Sequence, residues 1–122
     1  IGWRRFAQLR LQQRIGSGPA GLVIGLVWSL WHLPLIFVVP SGTGEIAPWF
    51  YIPFVTLLGV IFAWGYNRTH CSVFFAILLH AGVNTFFAYR LVTASGPLLL
   101  GIALVIALIL AALAFRNMRR IA

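Results

Sequence analysis

Two histidines stand inside otherwise apolar stretches: His32 in Trp28-Ser29-Leu30-Trp31-His32-Leu33-Pro34, and His80 in His80-Ala81-Gly82-Val83-Asn84. An ionisable side chain placed within such a run is unfavourable in a low-dielectric medium, so each calls for a role. Trp28 lies four residues before His32, and Asn84 four residues after His80, which puts each pair on one face of a helix. A neutral imidazole offers one donor and one acceptor nitrogen; an Asn amide offers donors and an acceptor oxygen. Ordinary helix tilts of about 20° could bring the two rings level, which permits a shared site near mid-membrane. Pro34 has no N–H and leaves the Leu30 carbonyl without its helical donor beside His32, while Gly82 allows close approach of a helix or substrate. Two other uses fit the same residues. Each histidine could hydrogen-bond between helices in a purely structural role, or the pair could ligate haem as a bis-histidine site. The third histidine, His70, lies between apolar runs and reads as solvated, with no role.

The elements that must position these groups follow from composition. Of 122 residues, 61% are hydrophobic and 8% charged, with a mean hydropathy of +0.99. A soluble domain this small has too much surface to hide so much apolar side chain, so the sequence is that of a membrane protein. Four apolar runs, about 19–39, 48–66, 72–89 and 97–115, approach or reach the roughly 20 helical residues that cross a bilayer core. None alternates as a barrel strand would, and in lipid each backbone polar group must be satisfied within its own segment. The expected fold is therefore all-α and integral to the membrane: four transmembrane helices, preceded over residues 1–16 by a short amphipathic helix lying on the membrane surface. Gly16-Ser17-Gly18-Pro19 separates that helix from the first span. Gly21 and Gly25, Gly59 and Ala63, and Ala103, Ala107 and Ala111 recur at four-residue spacing, the pattern that lets helices approach closely in lipid.

The nine basic residues are all arginine, against one acid, Glu45, for a formal net charge of +8. They do not form a basic patch interleaved with aromatics, so no nucleic-acid partner is expected. Arg4, Arg5, Arg10, Arg14, Arg68, Arg116, Arg119 and Arg120 fall on one side of the four spans, and only Arg90 and Glu45 on the other. The positive-inside rule makes the arginine-rich side, and both termini, cytoplasmic. Trp49, Phe50 and Tyr51 are expected at the outer boundary, and Trp64 and Tyr66 at the inner one. The sequon Asn67-Arg68-Thr69 then faces the compartment where it is not glycosylated. Cys71 is alone, so no disulfide forms within the chain. Lysine-free composition suits a GC-rich bacterial genome, and hence a bacterial cytoplasmic membrane.

On these residues the chain resembles the CPBP family of intramembrane proteases, which includes CAAX prenyl endopeptidases and bacterial Abi-type proteins. The family carries Glu-Glu-x-x-x-Arg, Phe-x-x-x-His and His-x-x-x-Asn motifs in that order. His80 and Asn84 match the third in full. Trp28 and His32 match the second, with Trp in place of Phe. Arg4, in Ile1-Gly2-Trp3-Arg4-Arg5-Phe6, takes the place of the motif arginine, although Arg5 stands where glycine is usual. The resemblance implies that residues 1–122 are the C-terminal part of one membrane-embedded protease domain within a larger polytopic bundle. It implies an endopeptidase acting on membrane-associated peptide or protein substrates, with His32, His80, Asn84 and Arg4 as site residues. A glutamate would activate water, His32 would hold it, and His80 and Asn84 would polarise the scissile carbonyl. Family names include "metalloprotease", and His32 and His80 with a carboxylate would suit zinc. If Arg4 is the motif arginine, the glutamate pair falls before Ile1, and the chain alone is expected to be inactive. The alternative is a non-catalytic membrane scaffold, such as a bacteriocin-immunity protein.

Overall fold

The structure, a computed structural model, describes residues 3–38, 48–88 and 97–121. A π-helical stretch, Trp3–Gln8, leads into α1 (Leu9–Ile15), followed by α2 (Ser17–Val38), α3 (Pro48–Arg68), α4 (Val73–Ala88) and α5 (Pro97–Ile121). The described residues contain no strand, as backbone confined to apolar surroundings requires. Two segments, Pro48–Arg68 and Leu98–Met118, are long and apolar enough to cross a membrane, and Val73–Thr85 is a shorter apolar helix. For α2 and α4, crossing remains a reading of the sequence. Helix α5 continues past residue 115 through Arg116 and Asn117 to Ile121, since arginine is a good helix former.

Helices α3 and α4 are joined by a tight reversal. His70 (φ 51°) and Cys71 (φ 61°) adopt the left-handed conformation. The Cys71 N–H donates to the Tyr66 carbonyl at 2.8 Å, closing α3. Ser72 Oγ then accepts from the Phe75 N–H at 3.4 Å and starts α4. So short a link makes the two helices antiparallel neighbours.

The seam between α2 and α3 is built from the small residues. A Cβ added to Gly25 would lie 2.5 Å from the Thr56 carbonyl oxygen and 3.0 Å from Gly59 Cα, and one added to Gly21 would lie 2.9 Å from Ala63 Cβ. A side chain on Gly59 would run into Gly25 Cα. Around this seam Phe50, Tyr51 and Val55 form one buried cluster, packed by Trp28, Leu33, Leu100 and Ala103. Val60, Ala63, Ala111, Ala114 and Met118 form the other. Helix α5 thus turns its alanine edge inward, while Val105, Ile106, Leu108 and Ile109 are about half exposed, between 51% and 55%. In water such a face would drive association; it is a surface for lipid or further helices.

Two expectations are corrected. Phe50, Tyr51 and Tyr66 are 0%, 4% and 1% exposed, so they are core residues and not boundary markers. Successive helical positions turn about 100° around the axis, and three neighbours cannot share a lipid face. Trp49 is exposed and Trp64 half-buried, as expected. The amphipathic segment does not simply lie on a surface either. Gln8 is fully buried and donates to Gln12 Oε1 at 3.4 Å, and that oxygen also accepts from Asn67 Nδ2 of α3 at 3.2 Å. Polar residues dock the segment to α3, and they occupy the sequon amide. Among the described residues no buried side-chain nitrogen or oxygen lacks a partner.

The packing predicts opposite outcomes at two glycines. Gly59→Leu should lower the detergent-solubilised protein's stability by about 1–3 kcal/mol or more, as overpacking does. Gly101, with nothing within 4 Å of an added Cβ, should accept alanine with no loss. Thermal unfolding followed by circular dichroism separates the two.

Candidate functional site

His32 is held by its own helix. Its Nδ1 lies 2.9 Å from the Trp28 carbonyl oxygen, one turn earlier. A carbonyl only accepts, so Nδ1 carries the hydrogen, and in the neutral ring Nε2 is left with a lone pair. The ring also packs edge-on to the Trp28 indole, with centroids 6.2 Å apart and planes at 76°.

Trp28 reaches further than the i, i+4 pattern suggests. Its indole stacks on His80 of α4, at 5.4 Å between centroids and 27° between planes, and meets Phe62 of α3 edge-on at 5.4 Å and 66°. One half-buried indole therefore touches both imidazoles and is pinned by a ring buried in α3. The depths explain the pairing. At 1.5 Å per residue His32 lies about 20 Å along the first run, but Trp28 about 13 Å and His80 about 12 Å along theirs. His80 is level with Trp28, and His32 sits one turn beyond.

His80 and Asn84 are exposed on the same side of α4, one turn apart, with Gly82 between them, where an added Cβ would meet nothing within 4 Å. Gly82 therefore leaves open space beside these two side chains. The Arg4 backbone belongs to the π-helical stretch, an irregularity that often marks functional positions. Its side chain lies outside the described residues, as do Glu45 and Arg90. Among the described residues no three His, Cys, Asp or Glu side chains cluster as a metal site would need. Two imidazole nitrogens fall short of the three or four protein ligands of zinc.

The structure thus brings together His32 and His80, through Trp28, with Asn84 one turn from His80. Sequence reasoning singled out the histidines and Asn84 as candidates but missed the contacts of Trp28 with His80 and Phe62. The i, i+4 spacing signalled the Trp28–His32 half. Nothing in the sequence signals the contact to His80 or Phe62, which arises from helix packing.

A family profile described as Type II CAAX prenyl endopeptidase Rce1-like matches residues 1–86, the part that holds the π-helical stretch, both histidines and Asn84. The chain is also similar to CAAX prenyl protease 2 of Methanococcus maripaludis, 36% identical over 90 residues, covering 69% of this chain. It spans only 33% of that relative's length. No solved structure matches the chain.

The hydrogen bond of His32 makes a spectroscopic prediction. In protein labelled with 15N-histidine and held above the imidazole pKa, the His32 ring should show a protonated Nδ1 and a bare Nε2. The opposite tautomer would contradict the geometry.

Proposed function

The chain belongs to the Type II CAAX prenyl endopeptidase Rce1-like family, and on that premise we propose that it is the histidine-bearing part of an intramembrane endopeptidase. The observation that carries the reading is the shared contact of His32 and His80 with one indole. It supports the reading because a histidine from each of the two motifs that carry the resemblance packs against the same ring. The substrates proposed are membrane-associated proteins or peptides with CAAX-type prenylated ends, as the name of the relative suggests for that protein. The arginine bias argues for a cavity open to the cytoplasm.

In the proposed reaction, a carboxylate of the complete protein takes a proton from water. Burial in a low-dielectric cavity raises a carboxyl pKa toward working pH and so makes it a better base. The 122 residues hold one acid, Glu45, which belongs to none of the three motifs, and the proposed base is the glutamate of the first motif that the resemblance implies. His32 accepts one water hydrogen at Nε2, its Nδ1 being committed to the Trp28 carbonyl, and this orients an oxygen lone pair toward the scissile carbon. As the water oxygen bonds to that carbon, charge develops on the carbonyl oxygen, where His80 and the Asn84 amide donate hydrogen bonds. The tetrahedral species collapses with cleavage of the C–N bond, and the leaving amine takes the proton held by the carboxyl. Arg4, one helical stretch away, is the proposed partner of the carboxylate. No step is routed through a metal, because the donor set present does not complete a zinc site.

In the complete protein, His32→Ala and His80→Ala should each reduce cleavage of a prenylated CAAX peptide by about 100-fold or more, and Asn84→Ala by a comparable factor, with membrane expression unchanged. Residues 1–122 expressed alone should give no cleavage. Turnover close to wild type in either histidine variant would remove the proposal and favour a non-catalytic scaffold.

A further inference from the structure

Away from the histidines, α3 and α5 enclose an open groove of about 640 Å³. That lies within the roughly 300–1,000 Å³ of sites that hold a small molecule. Ile61, Leu110 and Leu113 form its walls, and Trp64, Arg116 and Asn117 stand at one end. The apolar run of α5 stops at Phe115, so that end coincides with the limit of the apolar zone. Trp64 Nε1 donates to Asn117 Oδ1 at 3.0 Å, which engages the acceptor of the amide and leaves its N–H groups as the remaining donors. Arg116 is exposed. The single acid of the chain, Glu45, precedes the opposite end of α3, about 24 Å of helix from Trp64. Among the described residues no carboxylate stands beside Arg116, so its guanidinium is open to an anionic group.

The complementary ligand has an apolar tail and an anionic head. A guanidinium and an amide side by side suit phosphate oxygens, which accept charge-assisted hydrogen bonds. A Trp whose N–H is engaged at the edge of the apolar zone belongs at the level of a lipid's polar region. A membrane protein of net charge +8 also attracts anionic lipid to its arginine-rich side. We propose that this groove binds one anionic phospholipid. Its phosphate pairs with Arg116 and the Asn117 amide, and one acyl chain lies along Ile61, Leu110 and Leu113. The proposal rests on the membrane setting and not on the protease chemistry.

Native mass spectrometry of the complete protein, delipidated in detergent and titrated with phosphatidylglycerol or phosphatidylcholine, tests it. One tightly retained phosphatidylglycerol is expected, and phosphatidylcholine should be held more weakly. Arg116→Gln should weaken retention about tenfold, as loss of a charged hydrogen bond does, and Arg116→Lys should restore part of it. Arg14→Gln, an exposed arginine on α1, should change nothing. Leu113→Trp, which fills the groove, should displace the lipid with Arg116 intact. Unfolding temperatures without lipid identify any variant that fails to fold, and the Lys and Trp variants then decide. Equal retention of both lipids, no retained lipid, or phosphatidylglycerol held by the Gln and Trp variants as tightly as by the wild type would overturn the proposal.

Discussion

The close approach of α2 and α3 at Gly25 and Gly59 is the constraint from which the histidine site follows. Because neither residue has a side chain, the backbones come near enough that an added Cβ on Gly25 would lie 2.5 Å from a carbonyl oxygen. The helices run antiparallel there, and helical side chains lean toward their own N-termini. Trp28, one turn beyond Gly25, leans back toward the seam and meets Phe62, one turn beyond Gly59. The indole so placed stacks on His80 of α4 and meets His32 at a steep angle. In lipid, where apolar transfer contributes nothing between helices, such packing is the main force available to hold an arrangement.

Polar groups in this setting are arranged to be satisfied locally. His32 uses the carbonyl of its own preceding turn, Ser29 donates to Leu26 and Thr56 to Ile52, both at 2.8 Å. These bonds keep polar side chains inside apolar helices without a dedicated partner helix. For His32 the same bond has a chemical consequence, since it determines which nitrogen carries the proton. His80 and Asn84 lie instead on the exposed side of α4. One ring is thus pre-set by its own helix, while His80 and Asn84 are exposed one turn apart.

Much of this was legible in the sequence, and the reasons are specific. Long apolar runs in lipid leave only helices, so the helix bounds came out within a few residues, except where α5 continued into its arginines. The four-residue spacing of Gly21, Gly25, Gly59 and Ala63 signalled the seam because close approach admits nothing larger. His32 and His80 stood out because ionisable residues are rare in such runs. What stayed hidden depends on rotation and packing between helices. Phe50, Tyr51 and Tyr66 look like boundary aromatics by composition, yet their helix turns them inward. Gln8 and Gln12 look like the solvated face of an amphipathic helix, yet they dock it against Asn67. Trp28 could be matched to His32 by spacing, but its contact with His80 joins residues far apart in the chain.

The central claim is that Trp28 organises the site by holding both imidazoles. The most direct measurement compares peptide cleavage by the complete protein carrying Trp28→Phe with that carrying Trp28→Leu, at matched folding and expression. A phenyl ring retains a flat face for His80, so the Phe variant should keep most of the wild-type kcat. The Leu variant should lose at least about tenfold, in line with catalytic groups that shift by around an ångström. Equal kcat in the Leu variant and the wild type would contradict the account.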